Sequence, residues 1–403
     1  SFIQSQVDPR TGQYTCAISL PELKANNLCG PVVPLQLNFN PLNAPDSGYG
    51  KCWNLQLSQY NTASRVLSLY TGETFRIDQG LNGLEVPEQK IESFHIHKST
   101  DTDGQDIWRV DHKSGLVEIL KVKHGQIALP IQMRSPQGHS VTLHYESFGT
   151  EPLLSRITND TDGSQLFSLE RTTNLLTLTL HPGSAYQAVF KMIIEGGESK
   201  SFILPTDNDA SWRFGYVLKN GLTCLKEVFT PTGGHETVTY SDRPHYFPGL
   251  NESTLPRVKT HISDPGFKQP AIETRYEYDE NDYNFLGRGS GVSWNDDGLD
   301  NLYRARSDYQ YETTQILWDA EIDKAVSRTR RVFNRFHLLT LEETTQHSTD
   351  PDKGDTYHRI DTDYYIKPDL SFEEQDPYCQ LPKSVTKTWR RANTTTPRHV
   401  ETV

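Results

Sequence analysis

Residues 274–291 read TRYEYDENDYNFLGRGSG. Tyr276 and Tyr278 alternate with charged neighbours, the period-2 pattern of a half-buried strand. The strand runs into an acidic turn, Asp279, Glu280, Asn281 and Asp282, and a second short aromatic segment ends at Gly287, Gly289 and Gly291. The stretch predicts a β-hairpin unit whose signature is Tyr276, Tyr278, Asp279 and Gly287. Looser echoes stand at Tyr145-Glu146, Tyr240-Ser-Asp242, Tyr309-Gln-Tyr311-Glu312 and Asp363-Tyr364-Tyr365. A hairpin cannot bury its apolar face alone, so recurring copies predict stacked hairpins rather than a fold built around one pocket.

Composition agrees with many short strands. Among 403 residues, 34% are hydrophobic and 10% aromatic, a balance suited to sheets with one wet face. The formal net charge of -12 argues against nucleic-acid binding, which needs a basic footprint. Five cysteines without a C-x-x-C pair form neither a disulfide framework nor a zinc motif. No apolar run reaches the roughly 18 residues of a membrane span, and no signal peptide is seen. Without Met at Ser1, and stopping at Val403 within a strand-like run, the sequence reads as a piece of something longer.

Three stretches are expected: an N-terminal β region over 1–90, a hairpin region over 91–245 and a Tyr-Asp repeat region over 246–403. Strands are expected at Tyr14 to Leu20, Val33 to Phe39, and in a hairpin turned at Thr71-Gly72. Further strands are expected from Phe94 to Ile194, with Gly and Asp turns between them. The strongest hairpin signal is Asn220-Gly221 between Trp212 to Leu218 and Leu222 to Phe229, because Asn-Gly suits a type I′ turn. Residues 319–345 fit an amphipathic helix and a strand equally well.

Candidate chemistry is sparse. The turn holding Asp101, Asp103 and Gly104 offers the oxygen ligands of a calcium loop, but Asp and Gly are also ordinary turn formers. His95 and His97 project to one strand face, as a strand-borne metal pair requires, and a third ligand such as His112 or Asp111 has to come from the next strand. There is no G-x-S-x-G, no H-E-x-x-H and no phosphate loop, so no catalytic residue is assigned and no cofactor is expected. The six tryptophans are spread along the chain. They leave a carbohydrate-binding or adhesin module as the alternative function.

Several segments in order resemble the RHS or YD-repeat proteins, in the subgroup related to insecticidal toxin complexes. These are VDPRTGQYTCAISLPEL, NNLCGPVVPLQLNFNPLN, GYGKCWNL, GLTCLKEVFTPTGGHETVTY, QPAIETRYEYDENDYNFLGRGSG, RRVFNRFHLLTLEE and CQLPKSVTKTW. The resemblance implies an all-β, elongated, repetitive hairpin sheet, a wound or solenoid-like segment of a shell wall. It tips residues 326–341 towards strand. It also implies a non-enzymatic role, enclosing a C-terminal toxin domain of the parent protein until delivery, with other toxin-complex or secretion components as partners and an extracellular location. The family's self-cleaving aspartate core has no counterpart before Val403.

Overall fold

The computed structural model describes residues 3–249, 253–350, 352–392 and 398–402. The fold is all-β: among the described residues there are strands, turns and two single-turn 3-10 segments, and no α-helix. Neighbouring strands pair antiparallel in chain order for most of the length. Two compact units are formed, one from Ser1–Ser5, Thr15–Gly215 and Asp297–Leu299, the other from Gln6–Tyr14, Tyr216–Asp296 and Asp300–Val403. The boundary at Gly215 falls inside the expected 91–245 stretch.

In the first unit a long meander runs from Phe94–Thr100 through Ser140–Phe148 and Leu175–Leu180 to Glu198–Ile203. Alternation decides which face is buried. Leu176, Leu178 and Leu180 are inside, whereas Leu175, Thr177 and Thr179 are partly exposed. Against the inner face packs a small sheet containing Gln36–Phe39 and Trp53–Leu55. Trp53, fully buried, touches Phe39 and Phe214 at ring separations of 5.5 and 5.2 Å. The Lys51 N–H donates to the Gly197 carbonyl at 2.7 Å, and Ser199 donates to the Tyr49 carbonyl at 2.9 Å. A second cluster joins Tyr60, Leu67, Phe94, Trp108, Val110 and Leu120.

The expected strand Val33 to Phe39 is two pieces. Val32–Val33 pairs with Leu23–Lys24, and Gln36–Phe39 pairs with Tyr14–Ser19. Pro34 interrupts them, since it has no N–H for a ladder. At the strongest hairpin signal, Asn220 and Gly221 both take positive φ, 52° and 78°, as a type I′ turn demands.

In the second unit the meander runs from Leu222–Phe229 through Ile272–Tyr278 and Gln310–Asp319 to Arg398–Thr402. The ambiguous 319–345 region is strand, Lys324–Asn334 and Leu339–Gln346. Lys324–Asn334 is laddered on both sides, to Gln310–Asp319 and to Leu339–Gln346, and cross-strand charges match that register: Arg330 meets Glu312, and Arg331 meets Glu342. Asn334 makes the turn by accepting the N–H groups of Phe336 and Leu338.

The hairpin expected within 274–291 is not formed. Strand Ile272–Tyr278 pairs with Gln310–Asp319, and residues 279–309 between them are turns and one 3-10 segment. The reason is local. The Asn284 side chain accepts the N–H of Leu286 at 3.0 Å, and Gly287, Gly289 and Gly291 take φ near +80 to +95°, which coils the chain away from extended geometry.

Replacing Trp53 with Ala should remove about 3–5 kcal/mol of folding stability. Chemical denaturation of the two chains measures it.

Candidate functional site

The signature tyrosines share one physical task. The Tyr278 hydroxyl donates to the Val258 carbonyl at 2.5 Å. Tyr145 donates to the Pro130 carbonyl at 2.7 Å, Tyr240 to Leu225 at 2.6 Å and Tyr364 to Leu339 at 2.9 Å. In each case the acceptor lies on the preceding strand of the meander.

Three of those acceptors sit at β-bulges. Leu120 opposes Pro130 while Ile119 opposes Gln132, so Ile131 is the extra residue. Tyr240 opposes Val258 while Thr239 opposes Thr260, leaving Lys259 over. Phe333 opposes Leu339 while Val332 opposes Leu341, leaving Thr340 over. An extra residue disrupts the ladder and bends the strand, and a buried carbonyl without a partner is costly. The tyrosine supplies the missing donor. Tyr145, Tyr240 and Tyr364 themselves stand at register shifts with the following strand, so one bulge hands on to the next. Burial pushes the phenols of Tyr145, Tyr240 and Tyr278 well up, which keeps them as donors.

Around Tyr278 the second unit builds a buried polar centre. The Arg257 guanidinium lies 4.5 Å over its ring, Asp282 takes Arg243 at 2.5 Å and Arg257 at 3.5 Å, and His245 meets the ring edge-on at 5.2 Å. The segment Pro9–Tyr14 is clasped to this centre. His245 Nε2 donates to the Thr11 carbonyl at 2.8 Å, Val258 N–H to Gly12 at 2.9 Å, and Thr313 to Pro9 at 2.5 Å. Gly12, at φ +65°, leaves no room for a Cβ because the Tyr278 ring fills it. Burial, then the Arg257 charge, pushes His245 down to about 3.

Asp279 and Tyr276 play lesser parts. Asp279 accepts the Asn281 N–H at 2.8 Å and closes the turn; burial, with Glu312 and Asp282 nearby, raises its carboxyl. It lines an open groove of about 950 Å³ with Glu312, Asp361 and Asp363. Burial pushes Tyr276 up to about 12. Gly287 closes a turn on the Asn284 carbonyl, and a Cβ there would press on Ser290 and Leu302. Tyr309 and Tyr311 were legible only as echoes. Tyr309 anchors the 279–309 connector through Asn284 and Arg288, and Tyr311 bonds His337 Nδ1 at 2.8 Å.

The metal candidates go elsewhere. Asp101 Oδ1 accepts the N–H groups of Asp103 and Gln105, both at 2.9 Å, and Oδ2 holds Lys121 at 2.6 Å; that hydrogen bond lowers its carboxyl. His95 and His97 share a face with ring centroids 6.5 Å apart, and Asp111 approaches His97 at 3.5 Å. His112 does not join them: it is turned inward to Glu118 at 2.7 Å, which also receives Ser58. Among the described residues no three His, Cys, Asp or Glu side chains gather as a metal site. The tryptophans form no shared platform: Trp53 and Trp108 are buried, Arg275 stacks on Trp318, and the exposed Trp389 stacks on His358. No helix among the described residues is long and apolar enough to cross a membrane.

No protein-family model matches the chain, and no curated protein matches it. Among solved structures it is similar to TcdB2-TccC3 without its hypervariable C-terminal region, at TM-score 0.35 and 9% identity, over 99% of this chain and 37% of that one. It is similar to TcdB2-TccC3 at TM-score 0.32 and 10% identity, over 96% and 19%. A third similarity is to the Photorhabdus luminescens Tc holotoxin pore, at TM-score 0.18 and 9% identity, over 95% and 22%. The chain therefore spans less than two fifths of the length of each.

Changing Tyr278 to Phe keeps the ring but leaves the Val258 carbonyl without its donor, and should cost about 1–3 kcal/mol. The same change at Tyr186, 84% exposed, should cost close to nothing; thermal melts of the two variants compare them. His245 gives a pH dependence. Its folded pKa lies below the ordinary value of about 6.5, so the neutral ring's contribution is complete above that value and is lost as pH falls towards 3, by at most roughly 1.4 kcal/mol per pH unit. The stability gap between the native chain and His245→Gln should be flat above pH ~7 and narrow below pH ~6. Urea titrations at several pH values measure the gap, and a gap constant down to pH 4 contradicts it.

Proposed function

We propose that this chain is a non-enzymatic wall segment of an RHS-type shell that encloses and shields a partner polypeptide, in the resembled family a C-terminal toxic domain. The observation that carries it is the latched meander. Antiparallel strands pair in chain order, bulges bend them at Ile131, Lys259 and Thr340, and tyrosines satisfy the carbonyls the bulges release.

Such a sheet grows by adding strands and curves as it grows, which suits a wall. It supplies area rather than a pocket of converging nucleophile and base. The ordered sequence resemblance from VDPRTGQYTC to CQLPKSVTKTW supports the same reading, and an acidic balance suits the solubility of an exported assembly.

The test is protease protection in the natural polypeptide that contains this chain. Trypsin should spare a partner segment that is digested quickly once this chain is removed or unfolded. Digestion at equal rates in both states would overturn the proposal.

A further inference from the structure

Many of this acidic chain's cations face carboxylates, as Arg330 does Glu312 and Arg171 does Asp46. One group in the first unit is paired only at its edge, through Lys121. Lys121, Lys123, His144 and Arg156 line an open groove of about 540 Å³ on the sheet face, together with Ile119 and Ile131. They come from strands Val117–His124, Ser140–Phe148 and Glu151–Asn159, and His144 directly opposes Arg156.

Lys121 is taken by Asp101 at 2.6 Å. His144 Nε2 meets Thr158 Oγ1 at 2.9 Å, and the Lys123 ammonium lies 5.9 Å from the Tyr145 ring centre. Among the described residues, neither Lys123 nor Arg156 has a carboxylate within ion-pair distance. Asp160 is the nearby anion that favours charged His144, but Ser140, Thr142 and Gln132 already occupy its oxygens. Glu146 stands in the groove lining without pairing with either cation.

The cations therefore press on one another. Burial and then Lys121 lower the Lys123 ammonium, and burial, Arg156 and Lys123 lower His144. An arriving anion relieves this crowding, because it favours every charged form at once.

The geometry points to a binding site for a carboxylate side chain carried on a partner polypeptide, held by Lys123 and Arg156 with flanking apolar contacts on Ile119 and Ile131. The groove is open and its cations are side chains on a sheet face, so a small free anion keeps its hydration and gains little. A tethered carboxylate adds the burial of its neighbours to the charge term.

The probe is a fluorescein-labelled heptapeptide with two Glu between Leu residues, beside its Gln counterpart, titrated by anisotropy into the full 403-residue chain at low salt. The Glu peptide should bind saturably and at least about fivefold tighter than the Gln peptide. The preference should disappear in Lys123→Ser/Arg156→Ser, whose sites are exposed and whose melting should match the native chain. It should survive Lys191→Ser, an exposed strand cation elsewhere in the unit. Equal binding of both peptides, loss of preference in Lys191→Ser as well, or displacement of the peptide by inorganic phosphate at matched ionic strength would each overturn the proposal.

Discussion

The fold depends on how a bulged ladder disposes of its spare carbonyls. A regular antiparallel strand spends every N–H and C=O on its neighbours, but it stays nearly flat. Bulges supply bend and twist and leave polar groups over. Here a tyrosine hydroxyl from the next strand reaches back to the released carbonyl, as Tyr145 does to Pro130 and Tyr364 to Leu339. The ring fills space that a bulge opens, and the hydroxyl satisfies the group it exposes. One residue type thus serves packing and hydrogen bonding together, which explains why tyrosine recurs and phenylalanine would not do.

Around this device the two faces divide the remaining work. Leu176, Leu178 and Leu180 bury on one side of the first unit, and a small sheet is anchored in the same unit by Trp53 on Phe214. In the second unit the sheet surface is laced with charges between strands, Arg330 with Glu312 and Arg359 with Glu343 on adjacent strands and Arg328 with Glu277 across an intervening one. Such exposed pairs add little stability each. Their effect is on register, because a one-residue slip would set Arg330 beside the wrong neighbours. The Pro9–Tyr14 clasp completes the second unit, where a fixed turn at Gly12 rests on Tyr278.

Much of this was legible in the sequence. Alternation gave the strands from Phe94 onward, and Asn220-Gly221 gave the tightest turn, since both are local signals. The Tyr-Asp signature was visible as a pattern, but its meaning was not: the carbonyl that Tyr278 satisfies is 20 residues away on another strand. Within 274–291 the short aromatic segment after the acidic turn reads as a second hairpin arm because aromatic content suggests a strand, whereas Asn284 and three glycines with positive φ coil the chain. The helix-like spacing of 319–345 failed as a guide because periodicity ignores partners, and Glu312 and Glu342 lie on other strands. His112 is a candidate third ligand by proximity in sequence, but the unbroken register sets it opposite Phe94, on the buried face with Glu118 and away from His95 and His97.

The most direct measurement is electron cryomicroscopy of the natural polypeptide that contains this chain, with its intact mass. A wall segment predicts a mass well above 45.9 kDa, further strands continuing the meander beyond Arg398–Thr402, and enclosed density on one side of the sheet. A natural chain ending near Val403, with solvent on both faces and nothing enclosed, would contradict the account.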